Sequence, residues 1–206
     1  MHARLAGLLV VVAACDGTTP PERPAPYEYA IRLEDGPVLS FRWPTASLPV
    51  RFWVEPGTDL RYVVEEAIRE WESVALYGEF VGVLVSDAAR ADVQVRMGES
   101  YASAPTYDLN CGGSTSIAVE RDTTIALPFV ISLFPRVGSG SGDVQQCLAL
   151  VGTHEMGHVL GLFLHSDDPQ DLMHARPSPD GLSPRDRATF ATLYHSAVSV
   201  RLPAGR

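Results

Sequence analysis

The segment HEMGHVLGLFLHSDDPQDLM, which begins at His154, constrains the fold of this chain more than any other feature. His154 and His158 are four residues apart, so on a helix their imidazoles lie on one face and can bind the same metal ion. Gly161 can end that helix in a left-handed turn, after which His165 can supply a third ligand. Three protein ligands leave one coordination position open, which is the arrangement of a catalytic zinc site. Glu155 lies where it can take a proton from a zinc-bound water, which predicts a general base.

The pattern HExxHxxG, followed by a third histidine and a methionine, resembles the metzincins, and within them the matrixins. Ser166 follows the third histidine, and Met173 comes eight residues after that histidine, as in the matrixin Met-turn. The resemblance covers roughly residues 46–200 and is strong over residues 143–196. It implies a zinc endopeptidase with one catalytic Zn²⁺ and a protein or peptide as substrate. It also implies that Met173 forms a hydrophobic floor beneath the metal, although an ordinary core methionine fits the same pattern.

One spacing departs from the family pattern. Three residues separate Gly161 from the third histidine where the family has two, so Leu164, which cannot bind zinc, occupies the usual ligand position. We expect the turn to absorb the extra residue and His165 to keep its role. An oxygen of Asp167 or Asp168 is the alternative third ligand. The archaemetzincins share the longer spacing, but their cysteine motif is absent from this sequence.

The first fourteen residues are typical of an export signal. Arg4 gives a positive start, and residues 8–12 lie in an apolar run too short for an ordinary membrane span. The run ends in VAAC at residues 12–15, which resembles the bacterial lipobox. We therefore expect a lipid on Cys15 and an exported protein held at the membrane or surface of the bacterial cell envelope, or released from it. An ordinary secretory signal with an incidental cysteine is the alternative.

Charge and cysteine content restrict the partners further. The formal net charge is −9, and removal of residues 1–14, with one arginine and no acid, makes it −10. The sequence contains no basic run, which argues against nucleic-acid binding. We also expect a monomer. Cys111 and Cys147 would then face an oxidising compartment, which favours a disulfide between them over two buried thiols. Because Cys147 precedes His154 by seven residues, the bridge would hold the start of the metal-binding helix.

The chain divides into four parts where its composition changes: a signal (1–14), a Pro-rich tether (15–26), a hairpin extension around Asp35-Gly36 (27–45) and the metalloprotease domain (46–203). We predict an α+β fold for this domain: a twisted mixed sheet, a long backing helix, an active-site helix and a C-terminal helix after the Met-turn. Alternation and helical periodicity predict the following elements of the domain: strands at 48–54, 80–85, 92–96, 114–120 and 124–134, and helices over 60–71, from about residue 143, and after Ser183-Pro184. Two further strand-like runs, residues 27–33 and 37–43, flank the hairpin turn.

Further expectations concern the substrate peptide, the support of the Met-turn and a second zinc ion. A peptide would lie extended along an edge strand, for which residues 114–120 are the best candidate. Asp186 falls where a family acid braces the Met-turn, while Arg185 replaces the neighbouring acid. The structural zinc that matrixins usually carry cannot form here, because no histidine lies between residues 2 and 154.

Calcium is a second candidate metal, with weaker grounds. Asp108, Asn110 and Asp122 could offer oxygen ligands, but single acids in loops are usually just solvated.

Two other classes of function remain open. The chain could be a catalytically inactive zinc-binding surface or adhesion domain of the same fold, in which the extra residue distorts the third ligand. Glu155 argues against that reading, because a purely structural zinc site has no use for its carboxylate. A protease inhibitor or surface binding module is the third class, and no residue favours it.

Overall fold

The computed structural model of the chain describes residues 24–34, 36–99, 110–136, 141–177 and 180–204. The expected export signal, the lipidation site Cys15, most of the tether and the calcium candidate Asp108 lie outside these residues and stay predictions. Within the described ranges, none of the helices combines the length and the apolar character needed to cross a membrane.

The N-terminal segment forms a hairpin that is shorter than predicted. Only β1 (Ile31–Arg32) and β2 (Val38–Leu39) pair, in antiparallel orientation. The flanking residues of the strand-like runs 27–33 and 37–43, among them Tyr27, Phe41 and Trp43, instead pack their side chains into the core. The predicted strands were too long, because burial of these aromatic side chains stabilises the extended segment without a partner strand.

A five-stranded sheet forms the frame of the domain. Its strands are β3 (Val50–Val54), β4 (Gly82–Val85), β5 (Val93–Met97), β6 (Cys111–Val119) and β7 (Ile125–Pro135). Their spatial order is β4-β3-β5-β7-β6, and neighbours are parallel except for β6, which runs antiparallel to β7. All five predicted strands are present, and β6 lies at an edge of the sheet as expected.

The described part of the domain also forms three α-helices: α1 (Leu60–Glu72), α2 (Ser141–Val159) and α3 (Pro184–Tyr194). α1 buries the apolar stripe that its sequence predicts: Leu60, Val63, Val64, Ala67, Ile68 and Trp71. α1 packs against α2 and also contacts β3 and β5, whereas α2 contacts β6 and β7, so both helices cover one face of the sheet. α3 begins at the predicted Ser183-Pro184, where Ser183 and Asp186 form a capping box. The α+β prediction is confirmed.

A disulfide joins the edge strand to the helix that carries the histidines. Cys111 begins β6 and Cys147 lies in α2, and their Cα atoms are 5.8 Å apart. This separation is within the usual range for a disulfide, so the predicted bridge is confirmed.

We predict that the double variant Cys111→Ala/Cys147→Ala unfolds more readily than the parent. The bridge spans 36 residues, for which the chain-entropy model gives about 3–4 kcal/mol of stabilisation. Urea unfolding of both proteins under oxidising conditions measures the difference. The parent in excess reductant serves as the control, and equal free energies of unfolding for variant and parent would contradict the prediction.

Candidate metal centre

Three histidine side chains converge at the end of α2. His154 and His158 are on the helix and are buried, whereas His165 lies beyond the turn and is exposed. Their ligand nitrogens all lie within 4.8 Å of one another, so the three can hold one metal ion. The alternative ligand Asp167 accepts a hydrogen bond from Arg185 at 2.7 Å, and neither it nor Asp168 belongs to the histidine group. The structure therefore brings His165 to the site in spite of the extra residue.

Backbone carbonyls fix the orientation of the two buried imidazoles. His154 Nδ1 lies 2.8 Å from Leu172 O, and His158 Nδ1 lies 2.7 Å from Leu162 O. A hydrogen on each Nδ1 donates to its carbonyl, which leaves each Nε2 with a free lone pair for a metal. Burial lowers the pKa of His154 to about 3, assisted by His158, and lowers the pKa of His158 to about 4. Both rings are therefore neutral near pH 7, as metal ligands must be.

Gly161 ends α2 in the conformation expected of it. Its φ is +104°, in the left-handed region, and its N–H donates to His158 O at 3.0 Å. A Cβ at Gly161 would lie only 1.9 Å from the backbone oxygen of Phe41. After this turn Leu162 is fully buried and Phe163 N donates to Tyr29 O at 2.9 Å, so the longer connection is part of the packed core.

The turn that contains Leu172 and Met173, called the methionine turn below, packs directly against α2. Met173 is fully buried, and a Cβ at Gly157 would lie 2.3 Å from its sulfur, so a side chain at Gly157 would force Met173 to shift. The buried carboxylate of Asp186 accepts hydrogen bonds from Leu172 N at 2.7 Å and Met173 N at 3.3 Å. Asp186 thus braces the turn as its position in the sequence suggested.

Arg185 forms ion pairs with the loop that follows His165. Its guanidinium lies 2.7 Å from Asp167 and 3.3 Å from Asp171, and Ser166 Oγ donates to the buried Asp171 carboxylate. Asp171 could not be predicted from the sequence, because two of its partners, Arg185 and Ser183, are more than ten residues away in the chain.

Glu155 lies beside the histidines and contacts the edge strand. Its side chain is buried, and burial raises the pKa of this carboxyl to about 7. Thr115 Oγ1, on β6, donates to Glu155 Oε2 at 2.7 Å. A Cβ at Gly113 would lie 2.7 Å from Glu155 Oε1, so the missing side chain makes room for the carboxylate. Thr115 could not be predicted from the sequence, because its contact with Glu155 depends on how β6 packs against α2.

A small cavity opens next to this group. Its volume is about 130 Å³, and its walls come from β6, α2, the third histidine and the segment after Met173: Cys111, Gly112, Gly113, Val151, His154, Glu155, His165, Ala175 and Pro177. Cys111, one half of the disulfide, therefore forms part of the cavity wall.

The described residues contain no second cluster of histidine, cysteine or acidic side chains suited to a metal. The calcium candidate Asp122 is engaged by Thr124 Oγ1 at 2.9 Å and by Arg201 at 3.0 Å. Its carboxylate is therefore already paired with a cation.

Comparison of the chain with protein-family models finds no match, and comparison with curated proteins finds none either. Among solved structures the chain is similar to myroilysin in two structures. The first is 14% identical over 75% of this chain and 86% of that chain, with a TM-score of 0.43. The second is 13% identical over 76% of this chain and 83% of that chain, with a TM-score of 0.42. Agreement at this level defines no family for the chain, so its function must be judged from the site.

We predict that Gly161→Ala destabilises the protein by about 3 kcal/mol or more, because it combines an unfavourable φ with a clash against rigid backbone. The matched control is Gly142→Ala in the first turn of α2, where a Cβ meets nothing within 4 Å. The control is expected to keep or slightly raise stability. Urea unfolding measures both variants, and a Gly161→Ala variant as stable as the control would contradict the clash.

Proposed function

We propose that this chain is a zinc-dependent endopeptidase of the matrixin-like metzincin type. The observation that carries the proposal is the convergence of three imidazoles, those of His154, His158 and His165, next to the buried Glu155. Three nitrogen ligands, two of them locked by backbone carbonyls, suit Zn²⁺, and they leave a position open for water or substrate.

The residues around this position have separate roles in peptide hydrolysis. When bound, the ion supplies a Lewis acid and an activated water. Glu155, whose pKa burial raises, accepts a proton from the attacking water and passes it to the leaving amine nitrogen. A cation held by the histidines lowers this pKa again, so the carboxylate is ready to act as base near neutral pH. Thr115 donates a hydrogen bond that fixes the direction of the carboxylate.

The surroundings of the site suit a polypeptide substrate. β6 is an edge strand, so its outer backbone groups can pair with an extended peptide that crosses the site. The adjoining cavity, at about 130 Å³, is slightly smaller than a cavity that holds a benzene molecule, at roughly 150 Å³. It suits one aliphatic side chain of the substrate, next to the bond that is cut.

We predict that Glu155→Gln retains one zinc per chain but loses hydrolysis by about 10²–10⁴-fold, because an amide cannot accept the proton. Zinc content is measured by elemental analysis, and activity by casein digestion with and without a chelator. Glu66→Gln, the same change at an exposed position on α1, is the matched control and should behave as the parent.

Comparable rates for Glu155→Gln and the parent, both free of contaminating protease, would remove Glu155 from the mechanism. A parent that binds zinc but cleaves nothing would instead favour the inactive zinc-binding domain.

The third ligand can be tested separately. We predict that His165→Ala weakens zinc binding by more than about 100-fold, which exceeds the usual effect of losing a residue that only supports a ligand. Asp167→Ala and Asp168→Ala should change the affinity little, since solvent screens an exposed ion pair such as Arg185–Asp167. Chelator competition measures all three affinities. A larger loss in either aspartate variant than in His165→Ala would reverse the ligand assignment.

A further inference from the structure

The N-terminal segment from Tyr27 to Trp43 crosses the end of α2 and the turn that follows it. Trp43 Nε1 donates to Val159 O at 3.0 Å, and Tyr29 O accepts from Phe163 N at 2.9 Å. Between these two bonds the backbone oxygen of Phe41 lies against Gly161. The segment therefore contacts every second residue from 159 to 163, and it satisfies a carbonyl that a helix end leaves without a partner.

These contacts lie next to one of the candidate metal ligands. His158 Nδ1 is bonded to Leu162 O, and the next residue, Phe163, is the one whose N–H is held by Tyr29. The extra residue between Gly161 and the third histidine lengthens this turn. The N-terminal segment supplies the backbone partner that keeps the longer turn in one conformation.

The first residue of the segment contacts the other side of the site. Tyr27 is buried, and its hydroxyl donates to Asp186 Oδ1 at 2.9 Å. Asp186 Oδ2 accepts from Leu172 N at 2.7 Å, and Leu172 O is the partner of His154 Nδ1 at 2.8 Å. Three hydrogen bonds thus connect the tyrosine hydroxyl to a candidate metal ligand. Burial, together with Asp186, raises the pKa of Tyr27, so its hydroxyl stays a donor.

We propose that the segment from Tyr27 to Trp43 orients the histidines of the metal site and is more than an extension that precedes the domain. Within it, Tyr27 is a positioning residue for His154. This inference rests on the proposed function only in requiring that the histidines bind zinc. The segment holds the turn on one side of the histidines and the methionine turn on the other. Both sets of contacts control where the imidazole nitrogens point.

The test is Tyr27→Phe, which removes the hydroxyl and keeps the ring. We expect zinc affinity, measured by competition with a chelator well below the melting temperature, to fall about 10–100-fold, as is usual when a residue that orients a ligand is lost. The visible absorption of the Co²⁺-substituted protein, which reports ligand geometry, should change as well. Tyr62→Phe, an equal deletion at an exposed position on α1, is the matched control and should leave both readouts at parent values.

The outcomes separate a positioning role from a structural one. A Tyr27→Phe protein that melts at a lower temperature but keeps the parent's zinc affinity and Co²⁺ spectrum would overturn the proposal. If Tyr27→Phe does not fold, Thr189→Val takes its place, because Thr189 Oγ1 accepts from Tyr27 N at 3.2 Å and valine has nearly the same shape. The same fall in affinity is then expected, and parent-like affinity would again overturn the proposal. A parent that binds no zinc would instead overturn the proposed function itself.

Discussion

The carboxylate of Asp186 is fully buried and accepts hydrogen bonds from three separate parts of the chain. A charge removed from water is stable only when donors surround it, and here the donors are Tyr27 Oη, Leu172 N, Met173 N and Ser183 N. Its place in the first turn of α3 adds the favourable field of the helix N-terminus. The N-terminal segment, the methionine turn and the last helix therefore meet at one charge, and none of them can move without leaving a donor or the carboxylate unpaired.

The candidate metal centre depends on this arrangement through backbone rather than side chains. The two buried imidazoles are oriented by the backbone carbonyls of Leu172 and Leu162. The Glu155 carboxylate is held by Thr115 on the edge strand, which the disulfide joins to the same helix. Two of the three candidate ligands and the proposed base thus lie on one helix but are oriented by different neighbours. This separation allows the direction of the carboxylate and the direction of the imidazoles to be set independently.

Local patterns predicted most of the fold and the histidine set. The spacing of His154 and His158, the apolar stripe of α1 and the Ser183-Pro184 start of α3 are all properties of short segments, and each agrees with the structure. The strand content of the N-terminal segment was overestimated, because alternation cannot distinguish a paired strand from an extended segment that buries aromatic rings. Thr115, Asp171 and the role of Tyr27 could not be found in the same way. Their partners are distant in the chain, and only tertiary packing brings them together.

The contacts of the N-terminal segment also determine when the site can form. Tyr27 is hydrogen-bonded to Asp186 and Thr189, which lie 159 and 162 positions later in the chain. Trp43 is hydrogen-bonded to Val159, 116 positions later. A chain still being synthesised holds the first partner of each pair long before it holds the second, and pairings of such large separation are slow to form. The histidines are therefore not fully oriented until α3 has been made and has closed over the N-terminal segment. A truncated or nascent chain that already contains all three histidines would still lack the geometry that the complete chain gives them.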